Sequence, residues 1–289
     1  LVHVANETRS VLPFILKDLP GFKAEKSEII SLDTNPPLKQ QDCPQHDKAT
    51  VKVINEDSFN AAIMMMDTTS AVSAPPGAST VTKSPMTYSR PAVLNLASDK
   101  SPGGGWLNGA MAQEEALCYR SSLSLSLHKH YYPWDADQGV YTHDVVIIRS
   151  SASEDHKLLA PDIPAADLPV VSVVSIAAVR CPKVSEVQSL AGDKRKVFAD
   201  SEDRDLTKRK MRLGLRVAAA KGHDCLVLGA LGCGAFRNPV EEVADAWKEV
   251  LEETEFAGGW WREIWFAVFD QKNEGNYEVF EKVLGGLQV

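Results

Sequence analysis

One stretch constrains this 289-residue chain more than any other: Pro91 to Arg120, PAVLNLASDKSPGGGWLNGAMAQEEALCYR. Ala92–Leu96 is a short apolar run behind a proline, the pattern of a central strand entered at its first residue. Gly103, Gly104 and Gly105 follow, where the backbone can take positive φ and lie against a ligand with no Cβ between. Gln113, Glu114 and Glu115 then fall where a helix begins. Free amide N–H groups and a partial positive charge gather there, a natural seat for phosphate. The stretch has no Gly-Lys-Ser/Thr of a triphosphatase loop, and its glycines lack the spacing of a dinucleotide fingerprint.

A second junction of the same kind lies downstream. The apolar run Cys225–Leu228 empties into a glycine loop, Gly229 to Gly234, and Pro239 stands near the first turn of the helix that follows. Two such junctions in one α/β chain suggest a ligand gripped from both sides, at the carboxyl ends of parallel strands. Cys233 sits in this loop with no histidine evidently paired to it, so it reads as filler rather than a nucleophile.

Gly-Gly-Gly, seven residues and Gln-Glu-Glu together closely resemble the signature of the microbial-type poly(ADP-ribose) glycohydrolases, a branch of the macrodomain superfamily. Val93-Leu94-Asn95, with the glycines and Asn108-Gly109, looks like the ligand loop of macrodomains generally. The resemblance covers most of the chain, from Ala5–Ser10 onward, and is loosest at 33–49, 67–90 and 151–168. It implies a hydrolase that trims poly(ADP-ribose) from the exposed end and releases ADP-ribose, with no cofactor and no metal.

Carried over to this chain, Glu115 is the general acid/base and Glu114 holds hydroxyls of the distal ribose. Asn95, Gly103, Gly104, Gly105, Asn108 and Gln113 are then ligand residues of the first loop. Gly229, Gly232, Cys233, Gly234 and Ala235 bind diphosphate in the second, and Phe236 packs against the distal ribose. Trp106 is bulkier than the pattern leads one to expect, and is expected to narrow the pocket. Two alternatives use the same pocket: a reader that binds ADP-ribose without cleaving it, and a hydrolase of mono-ADP-ribosyl or free ADP-ribose derivatives. The intact Gln113-Glu114-Glu115 argues against the reader.

The chemistry follows from residue types. Cleaving an O-glycosidic bond needs a proton for the leaving oxygen and a base for water, and one carboxyl group can do both in turn. Successive residues on a helix diverge by roughly 100°, so Glu114 and Glu115 are expected to have different tasks. The helix N-terminus stabilises a carboxylate by roughly 0.3–1 kcal/mol, which opposes the raised pKa that a general acid needs. Desolvation, a neighbouring carboxylate and bound diphosphate act in the other direction, and are expected to prevail only in the complex.

The formal charge of −8 provides no field to attract nucleic acid or anionic membrane, so neither is expected as a partner. The expected partners are poly(ADP-ribose) or ADP-ribosylated proteins, and the chain is expected to be monomeric. No run is long and apolar enough for a membrane span, and no cleavable signal pattern opens the sequence. Five scattered cysteines without a Cys-x-x-Cys pair suit a reducing cytoplasm or nucleus.

Elsewhere the pattern predicts a helix over 1–18 with Pro13 kinking or restarting it, and a polar loop at 33–49. A strand at Thr50–Ile54 and a short helix at Ser58–Met66 precede a linker-like stretch, 67–90. Ala116, Tyr119, Leu123 and Leu127 fall at helical spacing. His128, His130 and Asp135 read as a solvated aromatic loop rather than a metal site, since histidines at i, i+2 on a helix do not face one another. Strands are expected at Asp144–Ile148, Val170–Ile176 and Glu263–Val268, a solvated charged helix from about Asp203 to Lys221, and a closing helix at Tyr277–Leu284. About six strands and five or more helices give a three-layer α/β/α macrodomain-like sandwich with a mixed, mostly parallel sheet. Residues 1–289 are expected to form a single domain, with 1–49 packed on it as an N-terminal extension.

Overall fold

The computed structural model describes residues 1–72, 90–188 and 194–289. The first part of the chain runs α1 (Val2–Lys17), β1 (Ser27–Ser31), β2 (Val51–Ile54), α2 (Ser58–Val72) and β3 (Ala92–Leu96). Next come α3 (Gln113–Arg120), the single turn α4 (Leu123–Ser126), β4 (Gln138–Val146) and β5 (Val170–Ile176). The remainder is β6 (Val184–Gln188), β7 (Lys194–Phe198), α5 (Ser201–Ala220), β8 (Cys225–Gly229), α6 (Val240–Leu251), β9 (Glu263–Ala267) and α7 (Asn276–Leu284).

Seven strands form one sheet in the order β1-β4-β5-β3-β8-β9-β2. The run β5-β3-β8-β9-β2 is parallel throughout, while β4 is antiparallel to β5 and β1 to β4. The parallel strands are almost unbroken apolar runs, as strands covered on both faces must be. Successive side chains alternate between those faces. Leu94, Leu226, Leu228, Ile264 and Phe266 pack with Leu213 and Leu215 of α5, Trp247 of α6 and Phe280 of α7. Val93, Val227 and Trp265 pack on the other side with Phe59 and Met65 of α2 and Leu117 of α3. The three-layer sandwich follows, and so does the placing of Asn95: two residues after Val93, it is buried on the face that α3 covers.

The structure departs from expectation in five places. Pro13 lies inside an unbroken α1, whose buried stripe is Ala5, Thr8, Leu12 and Ile15. The helix predicted to run through Leu127 stops at Arg120, because Ser121 takes extended backbone (φ −150°, ψ 179°) and bridges to Ile147. β4 begins at Gln138, six residues before Asp144, so the sheet gains the length on which β1 pairs as an edge strand. The β6–β7 hairpin, largely exposed, is a second sheet that the mixed charges of this region obscured. Lastly, α2 continues to Val72, into the linker-like stretch; positions 73–89 of that stretch lie outside the described residues.

α5 is not solvated along its whole charged face. Arg204, Lys208, Arg212 and Arg216, one turn apart, reach carboxylates on α6 and the turn after it: Glu242, Glu249, Glu253 and Glu255. No helix among the described residues is long and apolar enough to cross a membrane.

Buried polar bolts fix the helices over the site. The Arg120 guanidinium, at the end of α3, is 1% exposed. It donates to Asp57, to Asn60 Oδ1 (2.8 Å) and to the Arg149 carbonyl (3.2 Å). Asp57 Oδ1 also accepts from the Phe59 and Asn60 amides at the start of α2 (2.9 and 3.2 Å). On α1, Thr8 Oγ1 donates to the Tyr119 carbonyl (2.7 Å) and accepts from Arg149 Nε (2.8 Å). Removing one partner of a buried ion pair costs about 3–5 kcal/mol, because the other charge stays buried. Asp57→Ala is therefore expected to lower unfolding free energy by about that much. Replacing both groups at once, as Asp57→Leu with Arg120→Met, should recover only part of the loss, since the α2 amides capped by Asp57 stay unpaired. Denaturant midpoints followed by far-UV circular dichroism compare the three proteins.

Candidate active site

The carboxyl ends of β5, β3, β8 and β9 lie side by side, and each opens into a loop on the same rim of the sheet. From β3 the first loop runs through Gly103, Gly104 and Gly105 and returns as α3. Glu115 Oε1 accepts from the Gly105 amide at 2.8 Å, so the first turn of the helix grips the loop that feeds it. Gly104 has φ +58°, and a Cβ there would collide with Glu115 Oε1 and come within 3.1 Å of Glu114 Oε2. Only glycine allows the backbone to pass this close to both carboxyl groups.

Glu114 points the other way, as the 100° step requires. Its Oε2 accepts from the Ser98 amide at 2.8 Å, and its Oε1 lies 3.4 Å from Asn95 Nδ2. Asn95 Nδ2 also donates to Ser175 Oγ of β5 at 3.0 Å. Glu114 is 3% exposed and Glu115 7%. Burial, with the neighbouring Glu115 charge adding to it, pushes the Glu114 pKa up to about 8, against the hydrogen bonds from Ser98 and Asn95. Glu114 therefore carries its proton at neutral pH. Burial likewise raises the Cys118 thiol behind the pair and the Tyr132 phenol beside it, and the Glu114 charge adds to both.

Four buried polar atoms around this spot have no hydrogen-bond partner among the described residues: Glu115 Oε2, Asn95 Oδ1, Tyr132 Oη and Trp134 Nε1. Buried polar atoms are nearly always satisfied. A cluster of orphans beside two carboxyl groups marks a place built to hydrogen-bond something outside the chain.

The first-loop residues have unequal roles. Gln113 is committed to the protein itself: Oε1 accepts from the Leu96 amide (2.8 Å), and Nε2 donates to the Leu94 carbonyl (2.8 Å) and Ser58 Oγ (3.0 Å). It brackets β3 to α2 and α3. Asn108 is exposed on a 3₁₀ turn, Trp106–Asn108, away from these contacts. Trp106 does not narrow the pocket. It is 5% exposed, its ring meets Tyr119 edge-on at 6.1 Å, and its carbonyl accepts from the Tyr119 hydroxyl at 2.8 Å. Gly103 makes room for it, since a Cβ there would lie 2.7 Å from the indole.

From β8 the second loop carries Gly229, Gly232, Cys233, Gly234, Ala235 and Phe236 into α6. Gly234 and Ala235 are exposed, and Phe236 is half-buried. Burial raises the Cys233 thiol pKa, which leaves it a poor nucleophile. The residue that holds this loop is Asn238, which sequence reasoning missed. Its Nδ2 donates to the carbonyls of Val179 (2.7 Å), Gly232 (3.2 Å) and Phe236 (3.3 Å). Gly232 has φ +79°, and a Cβ there would lie 2.5 Å from that amide. The other omission is Phe269, 49% exposed two residues beyond β9. The available signal was an aromatic residue just past the apolar run of β9.

His128 and His130 stack at 5.4 Å, and His128 Nε2 lies 2.8 Å from the Glu25 carbonyl. Among the described residues, no group of three or more His, Cys, Asp or Glu is placed to hold a metal ion.

Residues 22–152, which include the first loop and both glutamates, match the family model of the microbial-type PARG catalytic domain. This segment carries the signature of the microbial-type poly(ADP-ribose) glycohydrolases. The fold agrees over nearly the whole chain. The glycohydrolase from Thermomonospora curvata, solved with the inhibitor ADP-HPD, superposes with a TM-score of 0.69 at 22% identity, covering 97% of this chain and 98% of that one. The glycohydrolase from Deinococcus radiodurans, solved in complex with ADP-ribose, gives 0.67 at 26% identity, covering 94% and 98%. No curated protein sequence matches the chain.

A carboxyl whose folded pKa lies above its unfolded value of about 4.5 makes the fold most stable below that value and costs stability as pH rises through the folded pKa. Ligand-free protein is therefore expected to lose melting temperature between about pH 5 and 8 through Glu114. Glu114→Gln should remove that component. Melting curves across this range, variant against wild type, isolate it from the opposite trend of His156 and His223. Burial lowers the pKa of both histidines and makes them cost stability as pH falls.

Proposed function

We propose that this chain is a poly(ADP-ribose) glycohydrolase that removes ADP-ribose from the chain end, with Glu115 as general acid/base. The observation that carries the reading is the state of that side chain: one oxygen is anchored to the Gly105 amide and the other is buried with no partner among the described residues. The anchored oxygen sets the direction of the carboxyl group, and the second is the one that meets the glycosidic oxygen.

In the reaction, Glu115 gives its proton to the departing ribose oxygen as the glycosidic bond breaks. The positive charge that develops at the anomeric carbon is balanced by the substrate's own diphosphate, held between the two glycine loops. Glu115, now a carboxylate, takes a proton from the attacking water, and the carbon gains the hydroxyl. Glu114, protonated at neutral pH, can donate a hydrogen bond to a ribose hydroxyl as well as accept one. A neutral neighbour also spares the site a second charge beside the acid. Phe236 packs against the distal ribose and orients it.

The rim supplies a place for the base. Phe269 stands exposed at the end of β9, next to the end of β2, where Asn55 Oδ1 accepts from the Asp270 amide at 2.8 Å. An exposed ring anchored at its backbone is a stacking platform for adenine. Such stacking is worth about 1–3 kcal/mol per base.

We further propose that the chain works as a single domain, with residues 1–49 packed on it, and without a metal.

Glu115→Gln retains size and most hydrogen bonding but cannot donate an acid proton. It should lower single-turnover cleavage of labelled poly(ADP-ribose) by at least about 10²–10⁴-fold while ADP-ribose still binds. Near-normal cleavage by this variant would remove Glu115 from the role. If wild type binds ADP-ribose tightly yet cleaves no linkage offered, the chain is a reader. Phe269→Ala should instead weaken ADP-ribose binding by about five- to a hundredfold with little change in the bound-state rate. Titration calorimetry measures the first effect and single-turnover kinetics the second.

A further inference from the structure

We propose that Arg180 is a positioning residue for this reaction: tied to Asp99 of the first loop, its guanidinium sets the orientation of the Phe236 ring in the second. This rests on the reading of Phe236 given above.

Arg180 stands four residues beyond β5, on the same rim. Its Nη2 donates to Asp99 Oδ1 at 3.1 Å, and its guanidinium carbon lies 4.2 Å from the centre of the Phe236 ring. β3, which carries Asp99, lies between β5 and β8 in the sheet. One side chain thus connects the loops of three adjacent strands.

The hydrogen bonds at Phe236 act on its backbone, while one side of its ring packs against the apolar core. The Cys181 amide donates to the Phe236 carbonyl at 3.0 Å, and Asn238 Nδ2 reaches the same carbonyl. Neither can choose a ring orientation. A phenylalanine has no polar atom by which to be held, and its χ2 well is broad. Core packing confines the ring from one side, and the planar guanidinium lying over it fixes its plane by stacking and cation–π attraction.

Asp99 is equipped to hold that guanidinium. It also receives Lys100 Nζ at 3.2 Å, and its backbone carbonyl accepts from the Trp134 amide at 3.1 Å. Burial works against its charge, but the hydrogen bonds from Arg180 and Lys100 outweigh it and keep the carboxyl below its usual pKa. Arg180 itself is half-exposed, so replacing it opens no cavity in the core.

The test compares wild type, Arg180→Ala, Arg180→Lys, Asp99→Asn, Phe236→Ala and the Arg180→Ala/Phe236→Ala double variant. Single-turnover cleavage of poly(ADP-ribose) and ADP-ribose affinity are measured for each. Arg180→Ala is expected to slow cleavage by about ten- to a hundredfold, the effect of a misplaced reacting group, with affinity unchanged. Arg180→Lys, which keeps a cation over the ring, should recover much of the rate, and Asp99→Asn should lose part of it. In the Phe236→Ala background, Arg180→Ala should have no further effect.

Equal losses in rate and affinity would mean that Arg180 touches the ligand directly, and the proposal falls. It falls also if the Arg180→Ala effect persists in full without Phe236. If wild type cleaves nothing, the hydrolase reading has failed by itself. Arg180 is then judged on 4-fluorophenylalanine-labelled protein, whose Phe236 resonance must shift in Arg180→Ala; an unmoved resonance overturns the proposal.

Discussion

The hydrogen bond from the Gly105 amide to Glu115 is the contact on which the site depends. It fastens a helix to the loop that precedes it, and it does so with the side chain proposed to do the chemistry. Two conditions make it possible. Gly104 must lack a Cβ, because both carboxyl groups lie against that position. α3 must also begin at Gln113, which puts Glu115 in the first turn, facing the Gly105 amide of the loop. Gln113 secures the start by bonding the backbone of β3 on both its donor and acceptor sides. The signature is thus a mechanical unit: glycine for clearance, glutamine for register and glutamates for chemistry.

That unit explains how much was legible in the sequence. Elements whose residues make their own case were readable: β3, β5, β8 and β9 are apolar runs, and the start of α3 follows from its glycines and acids. Elements decided by a partner were not. β1 is only five residues with two exposed, and exists because β4 extends far enough to pair with it. Ser121 breaks a good helical pattern because Ile147 offers a bridge. Trp106 looked like a pocket residue from its place in the motif, yet its large apolar area outweighs position and turns it into the core. Asn238 carried no signal, since an asparagine after a glycine loop usually means only a turn.

On the proposed function, a chain of net charge −8 must hold a dianionic ligand without a favourable overall field. The architecture answers this locally. The loop amides and helix ends at the rim are fixed partial charges that need no counterion. Arg180, a cation on this rim, is committed to Asp99 and the Phe236 ring rather than to a ligand. Many other basic side chains on α5 are spent on the carboxylates of α6 and its following turn. Basic residues therefore tie helices together on one face of the sheet, while backbone donors are presented at its rim.

Burying two carboxyl groups under a sheet face is expensive, and the structure lessens the cost in unequal ways. Glu114 gives up its charge. Glu115 receives one backbone donor and, among the described residues, no second. Fully satisfying it would stabilise the ligand-free fold but would also occupy the oxygen that the proposed mechanism uses for proton transfer. Surrounding polar atoms that have no partner among the described residues, Asn95 Oδ1 and Tyr132 Oη, follow the same logic. The rigidity needed to bear that strain comes from below the site, where Arg120 joins α2 to α3 and Thr8 ties α1 to the end of α3. The N-terminal helix, remote from the signature in sequence, is therefore part of what holds α3 still.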